Sequence, residues 1–102
     1  MAILVGNVFF NGQTSVAATN VYTVPSPYIK GLITACTANN TTSSDIVLTI
    51  NLAGNQIISK SIRGNESIVI SELIGQSLLQ SQSIQVSSPT ALNLFITGSL
   101  IQ

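Results

Sequence analysis

The chain of 102 residues contains no histidine, no tryptophan and a single cysteine. Without histidine it lacks the side chain that most often serves as a general base or a metal ligand. The lone cysteine, Cys36, excludes a disulfide within the chain, and no imidazole is present to activate its thiol. Its apolar neighbours Ile33 and Ala35 predict that Cys36 is a small buried side chain. No cofactor and no metal site are therefore expected.

Charge is also scarce, since three cations and three carboxylates make up 6% of the chain and leave a net charge of zero. A typical soluble domain has roughly a quarter charged residues. Three scattered cations are too few for the phosphate contacts that nucleic-acid binding requires, so no nucleic-acid partner is expected. A near-neutral surface favours association between molecules. We therefore expect a subunit of an assembly rather than a free monomer.

The carboxylates are predicted to lie at turns or strand ends and not around a shared cleft. Asp45 begins a strand, Glu66 lies in a turn, and Glu72 follows a strand. Glu66 and Glu72 would need to converge to form a glycosidase-like pair, and solvated turn acids are the favoured interpretation. Lys60 lies in mid-strand, where it points to the face opposite its two serine neighbours and cannot activate them. We expect no enzymatic activity.

Long apolar runs are missing as well. A membrane-spanning helix needs about 20 mostly apolar residues, whereas the runs MAILVGNVFF and IVLTINLAG are shorter and interrupted by Asn or Gly. No membrane partner is expected. The first run lacks the basic residues that begin a signal peptide, so we expect it to belong to the mature fold of a protein that is not secreted.

What the sequence does have is alternation of apolar and polar residues with a period of two, which is typical of β-strands. The clearest strand is 45–52, and the residues AGN at 53–55 predict a hairpin turn in which Gly54 takes a positive φ. Segments 82–87 and 91–101 alternate in the same way. The side chains expected to face inward from these three strands are Ile46, Leu48, Ile50, Leu52, Ile84, Val86, Leu92, Leu94, Ile96 and Leu100.

Weaker patterns complete the strand set. Segment 28–38 is expected to place Ile29, Ile33 and Ala35 on one face, and segment 71–80 is compatible with a helical turn or a loop. The other expected strands are 2–10, 19–24, 56–62 and 67–70, with loops at 11–15 and 39–44. Seven to nine short strands separated by turns predict an all-β fold. We expect one domain, 1–102, built as an antiparallel β-sandwich of Ig-like or jelly-roll-like type.

The sequence contains more apolar side chains than the predicted inward rows of one core would use. Several are predicted on strand faces opposite the apolar rows, and the first strand is apolar on both faces. An exposed apolar area usually marks an interface, so segment 1–10 is a candidate interaction strand that could add to a sheet edge. The alternative is that loops and sheets of the same chain cover these side chains. The interface candidates are Ile3, Val5, Phe9, Phe10, Leu32, Val47 and Phe95.

The segment VYTVPSPYIKGLITACTANNTTSSDIVLTINLAG resembles a class of small tailed-phage virion proteins. Tyr-Thr-Val-Pro at 22–25 matches the opening of the family pattern, and Ile33, Asn39 and the loop 41–44 match its middle. The turn 64–66 and the closing FITGSLI at 95–101 are also similar, so the likeness extends over 19–101. The Gly-Asp turn that often precedes the penultimate strand of the family is absent from LLQSQSIQV.

The resemblance implies a non-enzymatic β-sandwich structural protein located in the virion. Its implied role is a capsid decoration (cement) protein that docks on the capsid lattice, with the major capsid protein or another virion protein as partner. It also implies a homo-oligomer, with a trimer expected because cement proteins commonly occupy local threefold axes. The alternative is a tail or fibre adhesion module that binds host-surface carbohydrate, for which Tyr22 and Tyr28 offer the amphipathic rings.

Overall fold

The computed structural model of the chain describes residues 4–102, with side chains described from residue 6 onward. It consists of two antiparallel sheets packed face to face, which confirms the predicted β-sandwich of seven to nine strands. The strands are β1 (Leu4–Gln13), β2 (Thr19–Thr23), β3 (Lys30–Asn40), β4 (Ile46–Leu52), β5 (Asn55–Ile62), β6 (Glu66–Val69), β7 (Ser77–Leu79), β8 (Ser83–Ser87) and β9 (Asn93–Ile101). A short 3₁₀ helix, Ser71–Leu73, lies between β6 and β7.

The strand order is that of a jelly roll. Sheet A has the order β1-β9-β3-β6, with β7 also paired to β3, and sheet B has the order β2-β8-β4-β5. With β7 set aside, the pairs β1–β9, β2–β8, β3–β6 and β4–β5 are those of one long hairpin. Rolling this hairpin up adds the pairs β3–β9 and β4–β8, which divide it into two sheets. This order corresponds to the jelly-roll alternative of the sequence prediction rather than to the Ig-like one.

The core lies between the two sheets and follows the predicted alternation. Every inward side chain expected from the segments 45–52, 82–87 and 91–101 is buried. On β4 the burial alternates without interruption from Ile46 to Leu52. Because apolar burial contributes about 25 cal/mol per Å², this row is a main source of stability. Cys36 is also fully buried, as its apolar neighbours predicted.

The predicted face of β3 is wrong in part, because the strand contains a bulge. Its register with β9 shifts between Ile33 and Ala35, and an extra residue exchanges the two faces of a strand. Ile33 therefore faces the core together with Cys36 and Ala38, while Ala35 is only half-buried. Ile29 precedes the strand and is exposed rather than aligned with Ile33.

The β4–β5 hairpin has the predicted turn at its tip. Leu52 pairs with Asn55, so the loop contains two residues. Ala53 and Gly54 have φ angles of 52° and 85°. Two consecutive positive φ values correspond to a type I′ turn, whose twist matches that of the flanking strands. This turn is the tip of the long hairpin that forms the jelly roll.

Three segments differ from the sequence-based expectation in length or type. The predicted loop 11–15 begins later, because β1 continues to Gln13 through pairing with β9. The predicted loop 39–44 also begins later, because β3 continues to Asn40 through pairing with β6. Segment 71–80 forms the 3₁₀ helix and then β7, with Gly75 at a φ of 89° between them. Three residues are too few for an alternation pattern to predict β7 from sequence.

A side-chain contact lies along each long side of the sandwich. On one side the rings of Phe9 and Tyr22 stack with centroids 4.2 Å apart. Gly98 lies beneath the Phe9 ring, where a β-carbon would collide with that ring and with the Leu32 carbonyl oxygen. On the other side Lys60 of β5 forms a salt bridge of 3.1 Å with Glu72 of the 3₁₀ helix.

The end of the sandwich near the β3–β4 loop is organised by a buried amide. The Asn40 Nδ2 group donates to the carbonyl oxygens of Ser44 at 2.7 Å and Ile62 at 3.0 Å. Its Oδ1 atom accepts from the backbone N–H and the hydroxyl of Thr42 at 3.0 and 2.7 Å. The side chain is fully buried, and these four bonds satisfy its donors and acceptor.

Candidate interaction surface

The outer face of sheet A carries an exposed aromatic ring near its centre. Across the sheet, Asn11 of β1 pairs with Phe95 of β9, Phe95 with Thr37 of β3, and Thr37 with Val69 of β6. Paired residues project to the same face, so the four side chains form one row. Phe95 is 40% exposed and Val69 is 57% exposed. Two exposed apolar side chains, Phe95 and Val69, therefore alternate with Asn11 and Thr37 across this face.

A shallow groove of about 130 Å³ runs beside this ring. We call it the Phe95 groove, and its lining residues are Asn11, Thr37, Asn39, Asn93, Leu94 and Phe95. The amides at its rim are partly held by neighbours: Gln13 Nε2 donates to Asn93 Oδ1 at 3.3 Å, and the Ser67 hydroxyl donates to Asn39 Oδ1 at 3.0 Å. The groove thus presents an aromatic ring and uncharged hydrogen-bonding groups.

The outer face of sheet B has a different character. Val47 of β4 is exposed between serine and threonine side chains, because Val47 pairs with Ser61 and the next outward residue, Thr49, pairs with Ser59 and Ser87. A groove of about 350 Å³ passes beside it, lined by Val16, Val47, Thr49, Ser87, Ser88 and Pro89. No residue lining this groove is charged. Contacts made there would depend on apolar burial and hydroxyl hydrogen bonds.

The predicted interface residues are distributed over both sheets and the core. Val47 and Phe95 are exposed on the outer faces of sheets B and A, and Leu32 is half-buried on sheet A. Ile3 lies outside the described residues, as does the side chain of Val5. The structure brings Leu32 and Phe95 onto one face but separates both from Val47.

Phe9 was predicted to be an interface residue, and this prediction is wrong. Its side chain is only 4% exposed, because it fills the space above Gly98 and stacks on Tyr22 within the same chain. Phe10 is half-buried and also packs against the core. The β1 register shifts between Val8 and Phe10, so a bulge turns both rings inward. Phe9 is therefore not available to a partner, while Phe10 is only partly exposed.

Exposed aliphatic side chains that the sequence reasoning missed are numerous. Val8 lies on the outer face of sheet A, where the bulge leaves it 52% exposed. Leu79 belongs to β7, a strand too short to be recognised. Ile57 lies at a register shift within β5. The other exposed members lie in loops or at strand ends, where alternation gives no signal. The full set of missed residues is Val8, Val16, Ile29, Ile57, Val69, Ile74 and Leu79.

The three carboxylates differ in their hydrogen bonds and in the elements that carry them. Hydrogen bonds from the Glu72 backbone N–H and from Lys60 lower the pKa of the Glu72 carboxyl, which is exposed. Asp45 accepts a hydrogen bond of 3.3 Å from the backbone N–H of Gly64. Glu66 is exposed at the start of β6. All three carboxylates are exposed, but Glu66 belongs to a strand and Glu72 to the 3₁₀ helix, where it forms an ion pair, so neither lies in a turn as the favoured interpretation had it.

Two further titratable groups are shielded from water. Burial raises the pKa of the Cys36 thiol to about 12, which keeps the thiol protonated and unreactive at neutral pH. The pKa of Tyr22 is also raised, mainly by burial and to a smaller extent by the neighbouring Tyr28. Because Tyr22 is stacked on Phe9 between the sheets, its ring is not a free platform for a sugar, contrary to the role considered for it in the carbohydrate alternative.

Within residues 4–102 no three His, Cys, Asp or Glu side chains are grouped closely enough to hold a metal ion. The same part of the chain contains no helix with the length and apolarity that a membrane span requires. The surface features that remain are the two outer faces, on which charge is sparse, and the sheet edges. Comparison of the chain with protein-family models, with curated proteins and with solved structures finds no significant match.

Proposed function

We propose that the chain is a non-enzymatic structural subunit of a tailed-phage particle that decorates the capsid by docking on its lattice. The observation that carries the proposal is the combination of a jelly-roll sandwich with two outer faces on which charge is sparse and aliphatic and aromatic side chains are exposed. Jelly rolls recur in virus capsid and lectin domains. Fold alone does not determine function, so the character of the surface is the stronger support.

Docking on a lattice requires a surface that many identical copies can present without repelling one another. A chain with zero net charge meets this condition. Exposed apolar groups flanked by Ser, Thr and Asn side chains give contacts that combine desolvation with hydrogen bonds. Self-association is part of the proposal, and the sequence resemblance implies a trimer. The major capsid protein or another virion protein is the proposed partner.

The test is the location of the chain in particles produced by the genome that encodes it. Particles are purified on a density gradient, and the chain is quantified by mass spectrometry against the major capsid protein in heads and in separated tails. The proposal expects a fixed high ratio in the head fraction. Recovery of the chain only in the soluble lysate would contradict a virion role, and recovery only in tails would contradict the capsid location.

A second candidate function is adhesion to host-surface carbohydrate, and the Phe95 groove is the observation that favours it. An exposed aromatic ring beside Asn and Thr side chains offers an apolar platform and hydrogen-bonding groups for a neutral sugar. A glycan array tests this candidate. Binding that is lost in Phe95→Ala but kept in Val47→Ala, on the opposite face, would favour adhesion over decoration.

A further inference from the structure

The four sheet edges of the sandwich are protected very unequally. An edge strand presents unpaired backbone N–H and C=O groups, and proteins shield such edges with short strands, charges, proline or covering segments. On sheet A, β6 and β7 form short edges of four and three residues. On sheet B, β2 has five residues and is followed by Pro25, while β5 carries Lys60 in its salt bridge with the 3₁₀ helix.

The remaining edge, β1, has almost none of these protections. It is ten residues long with the sequence LVGNVFFNGQ, which contains no charge and no proline. Within residues 4–102 its only strand partner is β9, so one side of β1 is open. The bulge at Phe9 is its single protective device, and it leaves the uninterrupted segments Leu4–Val8 and Phe10–Gln13 on either side. Five residues are the common length of a β-strand.

We infer that the open edge of β1 pairs antiparallel with β1 of a second copy of this chain, which joins two A sheets into one continuous sheet. An antiparallel pair of identical strands is symmetric about a twofold axis, so any strand that can pair on one side is complementary to itself. No charge on β1 opposes this approach, and the net charge of each copy is zero. Val8 projects from the outer face beside the edge, where it would be near its symmetry mate.

A β1–β1 contact joins two copies and uses the open edge of both, so it produces a dimer and leaves no β1 edge for a third copy. A trimer of the kind implied by the sequence resemblance needs a heterologous contact, in which β1 meets a different edge of its neighbour. The mass of the assembly therefore separates the two arrangements. The inference rests on the edges of the sheets and not on the proposed virion role, so the two can fail independently.

The first experiment compares matched lysine variants by light scattering and analytical ultracentrifugation. The double variant Val8→Lys/Asn11→Lys places one cation on each of the two segments of β1 that flank the bulge. Both positions are exposed, so the fold should tolerate the change. Val69→Lys/Ile74→Lys adds the same charge at exposed positions away from β1. We expect wild type and the control pair to sediment at twice the chain mass of 10.7 kDa. The β1 pair should weaken dimerisation by about tenfold or more.

The second experiment measures backbone protection directly by hydrogen exchange at low and high protein concentration. Amide hydrogens of β1 should exchange more slowly as the dimer forms, whereas those of the β5 edge should not change. A wild-type monomer or trimer at high micromolar concentration would overturn the inference. A dimer whose β1 amides show no added protection, or one that both lysine pairs disrupt equally, would overturn it as well.

Discussion

Leu48 and Val47 are neighbours on β4 that face opposite sides of sheet B. Leu48 is fully buried, and Val47 is exposed. Leu48→Ala should lower the free energy of unfolding by about 2–5 kcal/mol, because it leaves a cavity in the core. Val47→Ala should change it by about 0.5 kcal/mol or less. Urea unfolding followed by circular dichroism measures both, and equal or reversed costs would mean that the strand register is shifted by one residue.

Gly98 is needed where Phe9 crosses the inner face of sheet A. A β-carbon there would collide with the Phe9 ring and with the backbone oxygen of Leu32. The ring can move but the backbone oxygen cannot move easily, so Gly98→Ala should cost about 1–3 kcal/mol or more. Gly6→Ala is the matched control, because among the described residues no atom outside its chain neighbours lies within 4 Å of the added carbon. A control as costly as Gly98→Ala would show that glycine removal itself, and not the Phe9 contact, is responsible.

The Cys36 thiol should make folding sensitive to high pH. Its pKa is raised from 9.0 to about 12 by burial, so the folded state holds its proton above the pH at which the unfolded state loses it. The contribution of Cys36 to stability should be constant below about pH 9 and should fall by up to about 1.4 kcal/mol per pH unit between about pH 9 and 12. Cys36→Ala should show a shallower decline, although Tyr22 contributes in the same direction. Rapid labelling of native Cys36 by a thiol reagent at neutral pH would contradict its burial.

At the scale of an element, Asn40 holds the β3–β4 loop through bonds to the loop and to the end of β5. Asn40→Ala would remove the amide donor from the buried carbonyl oxygen of Ile62 and from the carbonyl oxygen of Ser44, which keeps its bond from the Thr42 hydroxyl. A buried group left without its partner costs about 1–3 kcal/mol, so thermal unfolding should shift down by several degrees. Asn39→Ala, which removes one exposed bond to Ser67, should have a much smaller effect. A larger shift for Asn39→Ala would show that the loop is not held by the buried amide.

The sequence predicts well those strands in which inward and outward side chains alternate without a break from one end to the other. On β4 and β9 the period of two continues without a bulge on the inward face, so Leu48, Leu94 and the exposed Val47 and Phe95 could be assigned from pattern alone. On β1 and β3 a bulge exchanges the faces midway. The pattern cannot reveal a bulge, because the extra residue is defined by the partner strand. Phe9 and Ala35 were therefore assigned to the wrong surroundings.

At the scale of the whole molecule, the same composition supports both the fold and the proposed surfaces. Ser, Thr, Asn and Gln cover the outer faces with hydrogen-bonding groups, and the aliphatic residues fill the space between the sheets. The sandwich thus carries little charge on its broad faces while keeping hydrogen-bonding groups there. The groups that can form contacts with other molecules are exposed apolar side chains such as Phe95 and the unpaired backbone groups of β1. Long-range electrostatic steering contributes little to either contact.

Self-association and particle binding should consequently be almost indifferent to salt. Screening weakens exposed charge pairs but not apolar burial or backbone pairing, so the wild-type dissociation constants should change little between about 0.05 and 1 M salt. The dimer of Val8→Lys/Asn11→Lys should instead strengthen as salt rises, because salt screens the repulsion between its introduced cations. Sedimentation across a salt series measures both trends. A steep loss of wild-type association with salt would show that charge holds the contact, and the apolar and backbone account of this surface would then be wrong.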